Sequence, residues 1–277
     1  MVRPRIVWRL GTVHELIDET PRAKTIVLDV AGWPGHIAGQ HVDVRLTAED
    51  GYQTERSYSI ASAPEHPNLA LTVERIDGGE VSPCLTEELH VGDQLELRGP
   101  MGGFTWGDSD GGPLLLIAGG VGLVPLMAML RHRAARSSTT EARLLVSARS
   151  LEDLLYRDEL VRLAHSDRIA LHHTFTSDPP PGWTGFARPA DAEMLRAVGP
   201  APARRPRVLV CGPTSFVGRA ISALIEIGHD AATIQAEDLG PQEDEPGRLE
   251  DRRRCSGDRR RCRCHQRSGH ELEGRAP

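Results

Sequence analysis

The sequence has no long uninterrupted hydrophobic run. A membrane-spanning helix needs roughly 18 to 20 apolar residues, and the nearest approach, residues 114–130, is interrupted by three glycines and a proline. The basic N-terminus is not followed by the apolar core of a secretory signal. We therefore expect a cytoplasmic protein without a membrane span.

An excess of positive charge is also missing. The net charge is -6, which argues against broad affinity for nucleic acid. The five cysteines form no even, regular framework, so a disulfide scaffold is not indicated. What remains is typical of a globular protein of one large or two ordinary domains, with 39% hydrophobic and 26% charged residues among 277.

Residues 1–108 show short alternating segments between turns. These segments are 26–30, 41–46, 54–62, 69–75 and 94–98. Five or six such runs without a long helix predict an antiparallel β-barrel or sandwich. The one predicted helix in this half is 83–89, with Ser82 as its N-cap.

Residues 112–241 follow a turn-rich linker and alternate between strand and helix patterns. The continuous apolar run 114–118 is typical of a strand buried on both faces of a parallel sheet. The segments predicted after it are helix 125–133, strand 142–148, helix 151–164, strand 169–174, strand 208–211 and helix 215–227. This order predicts a doubly wound α/β domain. Residues 242–277 are dense in charge and almost free of apolar side chains, so we expect a disordered tail.

A compact polar motif lies within the strand-like segment 54–62. Arg56 can pair bidentately with a pyrophosphate. The ring of Tyr58 can lie against an isoalloxazine, and the hydroxyl of Ser59 can bond to the polar edge of that ring system. The alternation places Tyr58 on one face of the strand and Ser59 on the other. The alternative is an ordinary exposed strand that carries one arginine.

A second phosphate-binding candidate contains Gly79, Val81 and Ser82, directly before the short predicted helix. Glycine lets the backbone approach a ligand closely, and a helix N-terminus offers free amide donors. A plain turn is the alternative.

A third glycine-rich segment contains Gly120, Gly122 and Pro125, between the buried strand 114–118 and the next helix. A strand-to-helix turn is the expected context of a nucleotide-phosphate loop. Pro125 suits the first helical turn, where its missing N–H costs nothing.

Two further strand ends carry candidate nucleotide contacts. Ser147 and Arg149 close the strand 142–148, where doubly wound folds bind the adenosine half of a dinucleotide. Arg149, with Arg157 nearby in sequence, favours NADPH over NADH because an arginine can hold a ribose 2′-phosphate; solvated surface arginines are the alternative. Cys211, followed by Gly212 and Pro213, ends the other strand, so a position beside the nicotinamide is plausible, although buried cysteines are most often core residues.

In this order the motifs resemble the ferredoxin–NADP reductase superfamily, from about residue 7 to 241. The resemblance implies an FAD-binding barrel over 1–108 and an NAD(P)-binding domain over 112–241. It implies contacts of Arg56 with the FAD pyrophosphate, of Tyr58 with the flavin ring and of Ser59 near flavin N5. Gly79 and Ser82 match the family's second phosphate segment, and Gly120, Gly122 and Pro125 match its nucleotide loop. Cys211 matches the family's cysteine near the nicotinamide C4. Glu237 falls where relatives carry a glutamate near the flavin. Many relatives carry an aromatic residue after that glutamate, where this chain has Asp238 and Leu239.

The resemblance further implies the reductase component by itself, without a fused iron–sulfur, haem-globin or molybdenum domain. Relatives with a fused iron–sulfur domain carry four clustered cysteines, whereas the tail has only Cys255, Cys262 and Cys264, so we expect no metal. NADPH, or NADH in its place, would reduce FAD, with Ser59, Cys211 and Glu237 at the reacting atoms. The reduced FAD would then pass electrons to a small redox protein or an oxygenase component. We expect the protein to be a monomer. The alternatives are a stand-alone flavin or quinone reductase, a non-catalytic electron-transfer subunit, and a degenerate relative.

Overall fold

The computed structural model describes residues 7–48, 50–166 and 169–240. The predicted tail 242–277, with its three cysteines, lies outside the described residues. The described chain forms a six-stranded antiparallel sheet followed by a five-stranded parallel sheet with helices. This architecture confirms the predicted fold class of a β-barrel followed by a doubly wound α/β domain.

The first sheet has the strand order β4-β3-β6-β1-β2-β5. Its strands are β1 (Trp8–Thr20), β2 (Ala23–Val30), β3 (His41–Thr47), β4 (Gln53–Ser59), β5 (Leu69–Glu74) and β6 (Gln94–Met101). Alternation forms these strands: in β3 every second residue, beginning with Val42, points into the core. A bridge between Ile60 and Leu71 brings the two edge strands together, which closes the sheet into a barrel.

The short helix of this half is present, but its form and its cap differ from the prediction. The predicted helix 83–89 is a five-residue π-helical turn, Cys84–Glu88. Ser82 does not cap it; its hydroxyl instead accepts a hydrogen bond from the backbone N–H of Ile76 at 3.0 Å. Strand β1 was not predicted, because register shifts after Val13 and Asp18 break its alternation.

The second sheet has the order β11-β10-β7-β8-β9, with β7 at its centre. Its elements are β7 (Leu114–Gly119), α1 (Leu123–Ala135), β8 (Ala142–Ser150), α2 (Arg157–Ser166), β9 (Ile169–Asp178), α3 (Ala192–Val198), β10 (Arg207–Gly212), α4 (Thr214–Glu226) and β11 (Ile234–Asp238). Parallel order brings the carboxyl ends of β7, β8, β10 and β11 to one edge, where a ligand would bind.

The second helix begins six residues later than the predicted 151–164. Tyr156 has φ +55°, a left-handed conformation that an α-helix cannot contain. Before it, the hydroxyl of Ser150 donates to the carboxylate of Asp153 at 2.7 Å, which holds a turn instead of a helix. Helix α2 therefore starts at Arg157, directly after Tyr156.

The side chain of Tyr156 joins the two domains. Its hydroxyl is hydrogen-bonded to that of Thr72 on β5, and Thr72 is in turn 2.7 Å from the hydroxyl of Thr25. Thr25 donates to Glu19 at 2.7 Å. Arg131 of α1 stacks on the Tyr156 ring, 4.6 Å from its centroid. A buried polar chain thus runs from the barrel into the α/β domain.

Arg131 adds a second connection between the domains. Its guanidinium bonds bidentately to Glu159, at 2.9 and 2.6 Å, and donates to the backbone carbonyl of Ala61 at 2.7 Å. Bidentate charge-assisted bonds fix both position and angle. The barrel and the α/β domain are therefore held in one relative orientation.

Replacing Tyr156 with Phe should lower the free energy of unfolding by about 1 kcal/mol, the usual net contribution of a hydrogen bond. The loss stays moderate because Thr72 keeps its bond to Thr25. Urea unfolding of the FAD-loaded protein measures it. The matched control is Tyr52→Phe, at an exposed ring; equal stability of the two variants would contradict the structural role of the Tyr156 hydroxyl.

Candidate functional site

The carboxyl ends of β10 and β11 meet the barrel beside the start of β3. Cys211 and Glu237 are neighbours in the parallel ladder of β10 and β11. His41 and Ser59 face each other across β3 and β4. The two pairs are linked by a distance of 3.9 Å between His41 Nδ1 and Glu237 Oε1. The structure thus brings Ser59, Cys211 and Glu237 to one junction and adds His41, which the sequence analysis missed.

Burial controls the protonation of Cys211 and Glu237. It raises the pKa of Glu237 to about 7, and it raises the pKa of the Cys211 thiol well above its ordinary value, with the Glu237 carboxylate adding to the effect. Cys211 is therefore a neutral thiol, suited to pack against a ring and unsuited to act as a nucleophile. Glu237 Oε2 is buried and has no hydrogen-bond partner among the described residues.

The motif on β4 splits between the two faces of its strand. Arg56 and Tyr58 lie opposite Val44 and Val42, so these two side chains share one face. Ser59 shares the other face with its ladder partner His41. Burial raises the pKa of Tyr58 well above its ordinary value, and the Arg56 charge only partly offsets this effect. Tyr58 therefore presents a neutral ring.

Arg56 is exposed and forms no salt bridge with any described carboxylate. Its Nη1 donates to the carbonyl of Glu55 at 2.8 Å and, more weakly, to the hydroxyl of Thr54 at 3.4 Å. Most donors of the guanidinium are left for an external anion. This is the arrangement that a pyrophosphate contact requires.

The second phosphate candidate is a tight turn whose side chains are largely used within the fold. A Cβ on Gly79 would come within 3.0 Å of the Ile76 carbonyl and 3.2 Å of Ser82 Oγ, so a larger residue crowds the turn. The side chain of Val81 is buried in the barrel core. What this segment can offer a ligand is its close backbone and the remaining hydrogen-bonding capacity of the Ser82 hydroxyl.

A cleft of about 330 Å³ lies at the strand-end edge of the parallel sheet. It reaches from the nucleotide loop to the barrel residues Thr20, Ala23 and Glu74. Among the predicted residues it is lined by Gly120, Ser147, Arg149 and Pro213. The cleft is thus bounded by both domains.

The other predicted residues of the loop shape the cleft from behind. A Cβ on Gly122 would lie 2.1 Å from the Cys211 carbonyl oxygen, so only glycine lets the loop pack on β10. A Cβ on Gly212 would meet the ring of Phe216 at 2.8 Å. Pro125 is buried inside α1. These three residues position the cleft without lining it.

Several lining residues escaped the sequence analysis. They are Thr176, Ser177, Ser215, Phe216 and Arg219. Helix α4 begins at Thr214, and Arg219 lies four residues after Ser215 in that helix. Residues four apart share one face of a helix, and this spacing was the signal available in the sequence. Arg157 is exposed and does not line the cleft.

The position after Glu237 serves the backbone of α4. Asp238 Oδ1 accepts hydrogen bonds from the Thr214 hydroxyl and the Gly240 N–H, both at 2.8 Å. Leu239 is exposed. No aromatic side chain occupies this position, as the sequence indicates, and the aspartate tethers the end of β11 to the start of α4.

These residues fit a bound flavin dinucleotide and a nicotinamide dinucleotide. The uncommitted guanidinium of Arg56 fits a pyrophosphate, and the hydroxyl-rich cleft with Arg149 and Arg219 fits a phosphorylated nucleotide. The orphaned Oε2 of Glu237 is a polar atom that a ligand can satisfy.

Comparison with known proteins agrees with this reading. Residues 28–106 match the oxidoreductase FAD-binding domain, and residues 116–221 match the oxidoreductase NAD-binding domain. The fold and the two domains define a FAD-containing, NAD(P)H-dependent oxidoreductase. The chain belongs to the ferredoxin–NADP reductase superfamily.

Three relatives illustrate the similarity. NADH-cytochrome b5 reductase 1 of Aspergillus terreus is 33% identical over 212 residues, which cover 74% of this chain and 70% of the relative. The glycine betaine monooxygenase reductase subunit of Pseudomonas aeruginosa is 31% identical over 210 residues, 73% of this chain; the match spans only 56% of that subunit. The crystal structure of Amycolatopsis cytochrome P450 reductase GcoB superposes with a TM-score of 0.76 at 27% identity, covering 87% of this chain and 72% of that one.

None of the helices in the described ranges is long and apolar enough to cross a membrane.

Proposed function

We propose that this protein is a reductase component that takes a hydride from NADPH onto FAD and passes the electrons to a separate protein acceptor. The observation that carries the proposal is the junction where Cys211 and Glu237 of one domain meet Ser59 and His41 of the other, beside a cleft that both domains bound. The acceptor class is a small redox protein or an oxygenase component, in keeping with the reductase names of the relatives.

The barrel would hold FAD through three residues of β4. Arg56 would pair with the pyrophosphate, the neutral ring of Tyr58 would pack on the isoalloxazine, and the Ser59 hydroxyl would bond near N5. The turn with Gly79, Val81 and Ser82 would supply close backbone to the phosphates. Bound FAD supplies two-electron uptake with one-electron release, which side chains lack.

The α/β domain would orient the nicotinamide nucleotide. Gly120 and Gly122 keep the loop backbone close to the phosphates, with Pro125 fixing the start of α1. The neutral thiol of Cys211, followed by Gly212 and Pro213, would seat the nicotinamide ring near Glu237. Because the reacting rings would lie between two packed domains, water is excluded and the donor is held against the acceptor.

NADPH is the proposed donor because of two arginines that line the cleft. Ser147 and Arg149 lie at the end of β8. The Arg149 guanidinium already donates a hydrogen bond to Asp153 Oδ1, with 3.3 Å between Nη2 and Oδ1. Arg219 lines the same cleft and is not hydrogen-bonded or ion-paired to a described residue, so it is the cation left for a 2′-phosphate. Bidentate arginine contacts recognise phosphate well.

Rapid mixing of the oxidised protein with each nucleotide tests the proposal. We expect bleaching of the yellow flavin by both, with a higher kcat/KM for NADPH. Arg219→Ala should lower kcat/KM for NADPH about tenfold, the loss of one charge-assisted hydrogen bond, and leave NADH unchanged. Arg196→Ala, at an exposed arginine of α3, is the control. No bleaching by either nucleotide would refute the function, and faster reduction by NADH would refute the preference.

We also propose that the protein works as a monomer in the cytoplasm. The junction and the cleft are both formed by the barrel and the α/β domain of one chain, which supports a monomer. The reduced nicotinamide nucleotides that it would consume are abundant in that compartment. Sedimentation of the FAD-loaded protein at a single monomeric mass is the expected result.

A further inference from the structure

Asp238 occupies a position to which the proposed function assigns no role. It is the last residue of β11, and its side chain is exposed. Its carboxylate is not ion-paired with any described arginine or lysine, and its Oδ1 accepts hydrogen bonds from the Thr214 hydroxyl and the Gly240 N–H, both at 2.8 Å. A charged group that is used for neutral hydrogen bonds points to a geometric role.

Two backbone hydrogen bonds lie beside those of the carboxylate. The N–H of Leu239 donates to the carbonyl of Gly212 at 3.0 Å, and the N–H of Thr214 donates to the carbonyl of Gly240 at 3.4 Å. Gly240 has φ +82°, a conformation that glycine adopts without strain, and its bond to Asp238 closes this turn. Residues 212–214 and 238–240 thus form one hydrogen-bonded corner.

The turn that carries Cys211 is already fixed on its other sides by packing. A Cβ on Gly122 would lie 2.1 Å from the Cys211 carbonyl oxygen, so the nucleotide loop presses on the turn. A Cβ on Gly119 or on Gly212 would meet the ring of Phe216 at 2.7 or 2.8 Å, so this ring is wedged between the ends of β7 and β10. The corner is the contact that fixes the turn on the side of β11.

We infer that Asp238 is a positioning residue for hydride transfer. Through Thr214 and Gly240 it holds residues 211–213, the proposed seat of the nicotinamide, at one distance from the flavin. The inference rests on the proposed function and adds a residue to it. Successive residues of a strand point to opposite faces, so Glu237 faces the barrel while Asp238 faces the start of α4.

The location of the corner explains why it needs a side chain to hold it. Strand β11 is at the edge of the sheet and has β10 as its one neighbouring strand. Without the carboxylate, the end of β11 would be joined to residues 212–214 by backbone bonds alone. Reacting atoms must lie about 3 to 3.5 Å apart, and a misplacement of about 1 Å can cost 100-fold in rate. The loss is expected in the transfer step, because the loop and the arginines proposed to hold the phosphates lie elsewhere.

Amide hydrogen exchange in the oxidised FAD-loaded protein tests the corner without turnover. In Asp238→Ala the N–H of Leu239 should exchange about fivefold faster, the effect of losing about one hydrogen bond. Asp158→Ala, at an exposed aspartate of α2, is the control and should leave this exchange unchanged. Unchanged exchange at Leu239 in Asp238→Ala overturns the inference.

Rapid mixing tests the positioning itself, with whichever nicotinamide nucleotide reduces the wild type faster. At saturating nucleotide, flavin reduction in Asp238→Ala should slow about tenfold, while the Kd for the nucleotide stays within about twofold. Weaker binding at an unchanged rate, or reduction at the wild-type rate, overturns the inference.

Conservative variants separate the hydrogen bond from the charge. Asp238→Asn keeps an oxygen acceptor and should restore both reduction and exchange, as Thr214→Ser should keep them. Thr214→Val removes the hydroxyl with nearly the same shape and should slow reduction as Asp238→Ala does. If Asp238→Asn is as slow as Asp238→Ala, the carboxylate acts through its charge and the inference is wrong.

The two proposals fail in different ways. If neither nucleotide reduces the flavin of the wild type, the proposed function fails and the role in hydride transfer fails with it, whereas a wild-type rate in Asp238→Ala overturns the positioning role alone. Reoxidation of the dithionite-reduced flavin by ferricyanide does not use the nicotinamide seat and should be unchanged; equal slowing of both half-reactions counts against the inference. If Asp238→Ala does not fold, Thr214→Val takes its place, and a wild-type rate of reduction in that variant is the contradicting result.

Discussion

Arg56→Ala should purify almost colourless. The guanidinium of Arg56 is exposed, forms no salt bridge with a described carboxylate, and bonds only to neighbours on its own strand. If it pairs bidentately with the FAD pyrophosphate, its removal deletes charge-assisted hydrogen bonds worth about 1.5 to 3 kcal/mol each. One such loss raises the Kd for FAD at least about tenfold, and two raise it about 100-fold or more. Flavin absorbance per mole of purified protein, followed by FAD titration, measures the change.

Arg56→Lys separates the charge from the shape. Lysine keeps the positive charge but loses the planar fork, so we expect FAD affinity between those of the wild type and Arg56→Ala. Nucleotide binding to the α/β domain should change little in either variant, since Arg56 lies on β4. Normal flavin content in purified Arg56→Ala would remove the pyrophosphate assignment.

Glu237→Gln should make the protein more stable above neutral pH. Burial raises the pKa of Glu237 in the folded protein to about 7 from an ordinary 4.5. Below about pH 4.5 the carboxyl is protonated in both folded and unfolded chains and costs nothing. As pH rises to 7 the unfolded chain ionises first, so stability is lost; above 7 the loss is complete, at about 3 kcal/mol. Glutamine cannot ionise and escapes this loss.

Urea unfolding at saturating FAD, at pH 4.5 and pH 8, measures the effect. The difference between variant and wild type should be small at the lower pH and approach 3 kcal/mol at the higher one. Glu226→Gln, at an exposed residue of α4, should show no such pH dependence. If the difference in the free energy of unfolding is equal at the two pH values, burial does not raise the pKa of Glu237.

The fold was predictable where one pattern dominates. The apolar run 114–118 predicted a strand buried on both faces, and the structure has β7 there. Boundaries that go with distant contacts were not predictable: Tyr156, which has a left-handed backbone, is hydrogen-bonded through its hydroxyl to Thr72, 84 residues earlier. Strand β1 was hidden by its bulges, which only the pairing with β2 reveals.

The candidate site shows the same division. Sequence motifs singled out Ser59, Cys211 and Glu237, and the structure places them at one junction, although their roles stay predictions. His41 and Arg219 carry no motif. His41 becomes a candidate only because the register of β3 against β4 sets it opposite Ser59. Arg219 does so only because α4 turns one face toward the ends of β7 and β8.

The buried chain through Thr72, Tyr156 and Arg131 has a consequence for turnover. Contacts of this kind restrain the two domains relative to each other, so the spacing between the two reacting rings would be set largely by the fold before any substrate arrives. Exchange of spent for fresh nucleotide would then need little movement of the domains. The rate ceiling of such an enzyme would lie in nucleotide dissociation and in its meeting with the acceptor.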